Sequence, residues 1–506
     1  MSNTRTIPVV DLFAGPGGLG EGFSRFSVGS GRRPYSVRLS IEKNSTAHRT
    51  LELRALFHLL SETRVPDAYY EHLRGFITRD ELFSIASLRD FVGEARREAR
   101  CATLGETDTA TVDSWISEAI AGNDQWVLVG GPPCQAYSLA GRSRRRNEER
   151  STFEGDRRHV LYEEYLRIIR QFHPPVYVME NVKGMLSSTL GGRPIFDRIL
   201  KDLAAPGRGA RYQVRAFTSA GRTGLAPAEY IIEAEKFGVP QARHRVVLLG
   251  VREDYWSRDH RPLRERAQRA SVQDALIGLP PLRSRLSREN DSHQVWRSVL
   301  SSTPGMLRGW PFLLADLVND RMNVALGDAL HCADMGGDFV PFRTLHKLSC
   351  PLIEWLWDEA LGGCCSHQSR SHIRSDIQRY FFLAAFGDVF NFSPKLGEFP
   401  PRLLPAHQNV GARDTPFEDR FRVQLWNSPS TTVVSHIAKD GHYYVHPDPS
   451  QARSLTLREA ARLQTFPDNY HFAGNRTEQF VQVGNAVPPY LAVQLAGVVH
   501  SLIGEG

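Results

Sequence analysis

Short apolar runs that stop abruptly on glycine or on a polar residue recur along this chain, and they constrain its fold more than any other feature. Ile7 to Phe13, Tyr35 to Ile41, Trp126 to Val129, Val176 to Met179 and Val246 to Val251 are too short for core helices and fit buried strands. Between them, Leu19-Phe23-Phe26, Leu161-Tyr165-Ile168-Phe172 and Phe196-Ile199-Leu200-Leu203 fall at helical spacing. Strands alternating with helices predict a doubly wound α/β domain, whose working groups sit at the carboxyl ends of its strands.

What stands at those strand ends is chemically pointed. After the first strand comes Ala14-Gly15-Pro16-Gly17-Gly18-Leu19-Gly20, a small-residue turn that lets backbone N–H groups approach a nucleotide-type ligand. Gly15, Gly17 and Gly20 match G-x-G-x-x-G, a weak signal that by itself suggests a dinucleotide and an NAD-dependent oxidoreductase. Glu42 closes the second strand, where an acid can accept both ribose hydroxyls or simply cap a solvated helix start. Trp126 to Ser138, W-V-L-V-G-G-P-P-C-Q-A-Y-S, runs from a buried strand through a stiff turn to Cys134, with Pro133 before it and Gln135 and Ser138 after it. A lone cysteine there would ordinarily be packing. Its company argues otherwise: Gly141 to Arg150 is rich in arginine and suited to phosphates, Glu180-Asn181-Val182 puts a candidate acid at another strand end, and Gln241-Ala242-Arg243-His244-Arg245 leads into the next strand.

With 506 residues the chain exceeds one ordinary core, so more than one domain is expected. Residues 1–252 and 451–506 carry the α/β pattern, and 253–450 reads as an inserted mixed domain. Within it, Asp440-Gly441 between two alternating runs predicts a hairpin, making His436, Lys439, His442 and Tyr443 candidates for groove or backbone contact. Cys364, Cys365, His367 and His372 lack the spacing of zinc ligands, and no metal is expected. Thr456 and Glu459 form a capping box, and Leu491, Leu495 and Val498 mark an inward face of the terminal helix, expected beside the first. A net charge of +6 permits a nucleic-acid partner without requiring one. Six irregularly spaced cysteines fit a reducing cytoplasm, and no apolar run of membrane-spanning length stands out.

Taken in order, D-L-F-A-G-P-G-G-L (Asp11 to Leu19), G-P-P-C-Q-A-Y-S, E-N-V at Glu180, Q-A-R-H-R at Gln241, R-S-L-T-L-R-E-A-A-R-L-Q-T-F-P (Arg453 to Pro467) and Q-V-G-N-A-V-P-P (Gln482 to Pro489) resemble the six signature stretches of the DNA (cytosine-5) methyltransferases, of the bacterial restriction-modification kind. The resemblance implies a Rossmann-like, S-adenosylmethionine-dependent catalytic domain with an inserted target-recognition domain. It implies Cys134 as the nucleophile and Glu180 as the acid at the cytosine ring, with Arg243 and Arg245 holding its O2. Asn181 and the Pro133 backbone would read the amino edge beside Val182, with Gln135 or Ser138 entering the space a flipped base vacates. The cofactor would rest on Phe13, Ala14, Gly15, Gly17, Gly18 and Leu19, with Glu42 at the ribose and Asn485 and Ala486 near the methionine end. The implied partners are duplex DNA and a cognate restriction endonuclease or other defence component, for a monomeric enzyme of the bacterial cytoplasm and nucleoid. One departure stands out: no short acidic motif that would contact adenine can be placed between Glu42 and Trp126. An RNA (tRNA) cytosine-5 methyltransferase is the alternative within the same chemistry.

Overall fold

The computed structural model describes residues 6–29, 31–132, 158–190, 193–207, 209–220, 222–342, 350–406 and 418–504. Its centre is a sheet in which β1 (Ile7–Leu12), β2 (Tyr35–Glu42), β3 (Ala99–Cys101), β4 (Val127–Gly130) and β5 (Val176–Val182) lie parallel in the order β3-β2-β1-β4-β5. β6 (Tyr212–Ala216), β7 (Ile231–Glu233) and β8 (His244–Arg252) finish it antiparallel, with β8 running beside β5 and taking β6 and β7 on its far side. The chain leaves β1 for β2 on one side and reaches β4 on the other, so a crevice opens at the carboxyl ends of these strands.

Helices cover both faces, which is why the central strands read as unbroken apolar runs. Val10, Leu12, Leu128, Tyr177 and Met179 pack against α3 (Arg158–Phe172) and the helix Thr109–Ile120. Val9, Val37, Val127, Val129 and Val178 pack against α1 (Gly18–Arg25) and the terminal helix α8 (Pro489–Ile503). The two ends of the chain therefore meet, as expected. A Cβ on Gly22 would lie 2.3 Å from the Cβ of Ala492, and Tyr35 donates its hydroxyl to the Ala496 carbonyl at 3.0 Å. The stretch Arg476–Ile503 is long and apolar enough to cross a membrane, a length the sequence reading overlooked, but 72% of its apolar window is buried within the protein. It serves as core.

After Ser45–Ser61 (α2), the helices Asp67–Leu73, Arg79–Ser84 and Arg89–Glu98 form a satellite core with it around Leu56, Tyr69, Leu82 and Val92. The inserted region has its own apolar centre, where Phe312–Asp328 (α4) and Arg374–Phe390 (α5) bury Val318, Met322, Phe381 and Phe382 around Trp296. The α/β packing runs past Arg252, however: Tyr255 and Leu263 belong to the sheet core, and Leu263 donates its N–H to Phe217 at 2.8 Å.

The expected hairpin at Asp440-Gly441 does not form. Ser435–Ala438 is a single helical turn, Gly441 takes a left-handed turn (φ 76°), and Ser430–Thr431 pairs instead with Gln241–Ala242. The alternating apolar residues that suggested a strand, Val433 and Ile437, are buried against α6 (Leu457–Leu463) and α7 (Arg476–Asn485). The contact is so close that a Cβ on Gly484 would lie 2.4 Å from the Ser435 nitrogen.

Candidate active site

Strand β1 delivers the chain into a tight turn whose backbone is left-handed at Phe13 (φ 57°), Gly15 (φ 58°) and Gly17 (φ 94°). Gly17 caps α1 without a side chain, and Gly18 lies so close to the C-terminal segment that a Cβ there would sit 2.1 Å from the Val487 carbonyl oxygen. Glu42 holds the turn from β2: its Oε2 accepts the Gly15 N–H at 3.0 Å and its Oε1 the Asn44 N–H at 2.8 Å. Tyr470 ties the same turn by donating its hydroxyl to the Pro16 carbonyl.

Beneath the turn lies Asp11, only 1% exposed. Its Oδ2 accepts the Gly20 N–H at 3.2 Å, while Oδ1 has no hydrogen-bond partner. Burial, reinforced by the nearby Glu42 charge, pushes the Asp11 carboxyl up to about 8.

The turn opens into a cavity of about 560 Å³. Phe13, Ala14, Gly15, Gly18, Leu19 and Glu42 line it from the first two strands, and Gln482, Asn485 and Ala486 from the C-terminal segment. Glu180 and Asn181 enter from β5, and Gly131 and Pro132 from the end of β4. Gly17 stays behind the lining, facing Leu51 and Tyr470.

At the β5 end, Glu180 is ion-paired rather than set among apolar groups, because Arg245 on the adjacent β8 brings its Nε to 3.0 Å from Glu180 Oε1. Both side chains are about 15% exposed, at 14% and 15%. Asn181, expected as a reader of the base, lines the cavity and is also bonded within the protein. Its Nδ2 donates to the Pro132 carbonyl at 2.9 Å and its Oδ1 accepts the Val182 N–H at 2.9 Å, so it fastens the loop after β4 to the end of β5. A Cβ on Gly131 would lie 3.1 Å from Glu180 Oε2. A carboxylate paired with a guanidinium thus faces the same cavity as the glycine turn that follows β1.

The family model for C-5 cytosine-specific DNA methylase matches residues 103–301 and 395–501. The chain belongs to this family. As a DNA (cytosine-5-)-methyltransferase it has relatives along its whole length. It is 30% identical to the type II methyltransferase M.Bpa9945I of Bacillus paralicheniformis, covering 98% of this chain and 99% of that one. It is 26% identical to the type II methyltransferase M.AgeI of Thalassovita gelatinovora, over 98% and 99% of the two chains. Among solved structures, a prophage-encoded E. coli protein assigned as a DNA modification methyltransferase shares the fold, with a TM-score of 0.56 at 16% identity over 99% of this chain and all of that one.

Several expected site residues take other places in the methyltransferase. Arg243 is not in the cavity. It is 1% exposed and donates to the Val433 carbonyl at 2.9 Å and the Gly484 carbonyl at 3.2 Å, and burial holds its guanidinium well below the ordinary range. His442 is turned inward onto the Tyr380 hydroxyl at 2.6 Å, and Tyr443 donates to Asp419 at 3.1 Å, while His436 and Lys439 remain exposed. Pro133, Cys134, Gln135, Ser138 and the arginine-rich stretch 141–150 lie outside the described residues. The sequence reading missed the wall formed by Ala102, Thr103 and Leu104 directly after β3. Asp11 also lines the cavity, and the signal for it in the sequence is a single acid within the apolar run Ile7 to Phe13.

Proposed function

We propose that this enzyme recognises a particular duplex DNA sequence, turns one cytosine out of the stack, and methylates its C5 through a transient bond between Cys134 and C6. The observation that carries this is the shared cavity, in which Glu180, clamped by Arg245, faces the turn at Gly15 and the acid at Glu42. C5 of cytosine is a poor nucleophile, and a thiolate adding at C6 pushes electron density onto it. The negative charge developing on the ring is met at N3 by a hydrogen bond or proton from Glu180, which Arg245 orients. Once C5 carries the methyl group, water takes the C5 proton and the C5–H electron pair forms the C5–C6 double bond. The Cys134 sulfur departs with the C6–S pair, and N3 returns any proton it received to Glu180, restoring the aromatic ring. A stacked base cannot reach such a cavity, so extrusion is required. Pro133 reads the amino edge through its backbone, and Gln135 and Ser138 approach the space the base leaves. Asn181 and Val182 hold the base of the nucleophile loop, two residues before Cys134.

S-adenosylmethionine fits the remaining cavity. Glu42 stands where ribose hydroxyls would be accepted, and the unpartnered Asp11 Oδ1 suits a cationic ligand. Phe13, Ala14, Gly15, Gly18 and Leu19 make the floor, Asn485 and Ala486 the methionine end, and Ala102, Thr103 and Leu104 the wall for adenine in place of an acidic contact. When bound, this cofactor supplies the electrophilic methyl group that C5 takes up. Residues from about 270 to 450 act as the target-recognition domain, between catalytic parts that precede and follow it. The relatives are type II methyltransferases by name; in our reading the enzyme is a monomer of the bacterial cytoplasm, at the nucleoid, protecting sites that a cognate endonuclease or other defence component would cut.

Duplex DNA carrying 5-fluorocytosine at the target tests the chemistry, because the C5 fluorine cannot leave as a proton does. A denaturation-resistant adduct is expected with the wild type and none with Cys134→Ser; equal trapping by both would remove the nucleophile. Methylation of tRNA but not of duplex DNA would overturn the substrate, and tighter calorimetric binding of NAD than of S-adenosylmethionine would overturn the cofactor.

A further inference from the structure

On the far side of β8 from Glu180, three potential ligands converge. Glu233 ends β7, Glu235 lies in the helical turn that follows, and His244 opens β8 directly opposite Glu233 in the antiparallel pair. One ligand atom from each lies within 4.8 Å of both others. The Glu235 carboxylate is 7% exposed; Oε1 meets His244 Nε2 at 2.8 Å, while Oε2 is buried with no hydrogen-bond partner. A buried carboxylate oxygen left unpaired is costly unless something cationic can reach it. The Glu233 and His244 side chains are 38% and 33% exposed, so the cluster is open to water on one side. Lys236 already reaches the edge of the cluster, its Nζ 2.9 Å from Glu233 Oε2 and 3.4 Å from Glu265 Oε1, but leaves Glu235 Oε2 without a partner.

We propose that Glu233, Glu235 and His244 form a binding site for a divalent cation of the zinc type, one that pins the end of β7 to the start of the strand presenting Arg245 to Glu180. One imidazole and two carboxylates with a face open to water suit zinc or its first-row neighbours, which accept three protein ligands and complete their shell with water. Magnesium and calcium prefer all-oxygen shells and are disfavoured by the imidazole. On binding, the cation takes the Glu235 Oε2 lone pair and competes with Lys236 for Glu233, leaving the lysine to Glu265. The site has no part in the methyl-transfer chemistry. Its role is to stiffen the strand two residues before Val246, at the residue next to Arg245.

The test uses the full-length protein, stripped with a chelator and titrated with Co²⁺ as a coloured stand-in, then with Zn²⁺ in competition. Visible absorption of nitrogen-and-oxygen-bound Co²⁺, displaced by Zn²⁺ and unaffected by excess Mg²⁺, is expected at a single equivalent. His244→Gln and Glu235→Gln should each weaken binding about tenfold or more. Lys236→Met, which removes the competing ammonium, should tighten it. Thermal melts in chelator establish that each variant is folded, so a lost signal is a lost ligand. Zinc binding by His244→Gln as tight as in wild type, or no gain in Lys236→Met, overturns the proposal. The readout needs neither DNA nor cofactor, and so stands apart from the catalytic assignment.

Discussion

Asp11→Asn isolates the most perturbed acid of the cavity. The Asp11 carboxyl is pushed from its ordinary value of 3.8 up to about 8, first by burial and then by the Glu42 charge. For an acid raised in this way, the folded protein holds a proton that the unfolded chain has released. The stabilisation is fully present below about pH 4 and is lost as pH rises through about 8. Each unit of that window is worth about 1.4 kcal/mol, so the interval amounts to something on the order of 5 kcal/mol. Asparagine has nearly the same shape, can still accept the Gly20 N–H, and cannot ionise. Melting of ligand-free wild type and variant from pH 5.5 to 8.5 should therefore show the wild type losing stability relative to Asp11→Asn as pH rises. Groups elsewhere cancel in the difference. Calorimetry adds a second readout. A cationic ligand that settles beside Oδ1 should drive off the proton near pH 7, giving a binding heat that depends on the buffer's ionisation enthalpy in wild type and not in the variant. Parallel melting curves over the whole range would show that Asp11 is ionised throughout, and the reasoning that burial keeps it protonated would be refuted.

Gly22→Ala places a methyl group 2.3 Å from Ala492 Cβ and forces α1 and α8 apart, so a loss of about 1–3 kcal/mol is expected in thermal melts; an unchanged melt would mean the helices are not in contact. Glu180→Gln keeps the shape but removes the carboxyl that meets N3 and the charge partner of Arg245, and should lower kcat by roughly 10²–10⁴ while cofactor affinity in calorimetry holds. Arg453→Met leaves Glu459 buried without the guanidinium that binds it at 2.7 and 2.6 Å, a loss of about 3–5 kcal/mol in urea unfolding at pH 7. In the wild type, burial disfavours the Glu459 carboxylate, but Arg453 and His446 outweigh it and hold the carboxyl well below its usual range. That stabilisation is present above the ordinary carboxyl value and is lost only in strong acid, so Arg453→Met should also unfold at a higher pH on acidification.

The parallel strands were legible because strands covered on both faces must be apolar throughout. Their ends were legible because a charge such as Glu42 or Glu180 is tolerated only where the sheet stops. β3 was not, because Ala99–Cys101 is three residues within a charged helical stretch and has no periodicity to show. The wall at Ala102 to Leu104 was lost with it. Arg243 misled for a different reason. In a continuous strand it would share a face with Arg245, but β8 begins at His244, and Gln241–Ala242 belongs to a separate pair with Ser430–Thr431. Alternation does not carry across that break, so Arg243 turns into the core. The run before Asp440 failed similarly, since helix packing rather than a partner strand buries Val433 and Ile437.

The three residues Gln241 to Arg243 are one place where the inserted region meets the catalytic part, beside the contacts of Arg25 with Trp355 and of Arg74 with Leu361. Gln241 accepts the Val433 N–H at 2.8 Å and donates to the Leu463 carbonyl at 3.2 Å; Thr432 donates to the Ala242 carbonyl at 2.5 Å; Arg243 bonds the Val433 and Gly484 carbonyls. Two residues later Arg245 grips Glu180. A change in the inserted region on meeting DNA therefore has a short covalent route to Glu180, the acid proposed to meet the ring. Arg243→Met cuts that route with little net cost in stability, because two effects oppose each other. Two carbonyls lose their donors, about 1–3 kcal/mol each, while a buried guanidinium with an unpartnered Nε is relieved of its desolvation, a gain of comparable size. The variant should melt near the wild type and bind cofactor normally. Its kcat/KM for cognate duplex should fall toward that for a duplex altered by one base pair. Full discrimination retained in a folded Arg243→Met would mean that the inserted region does not report to Glu180 through this side chain, and Arg243 would be no more than a packing residue.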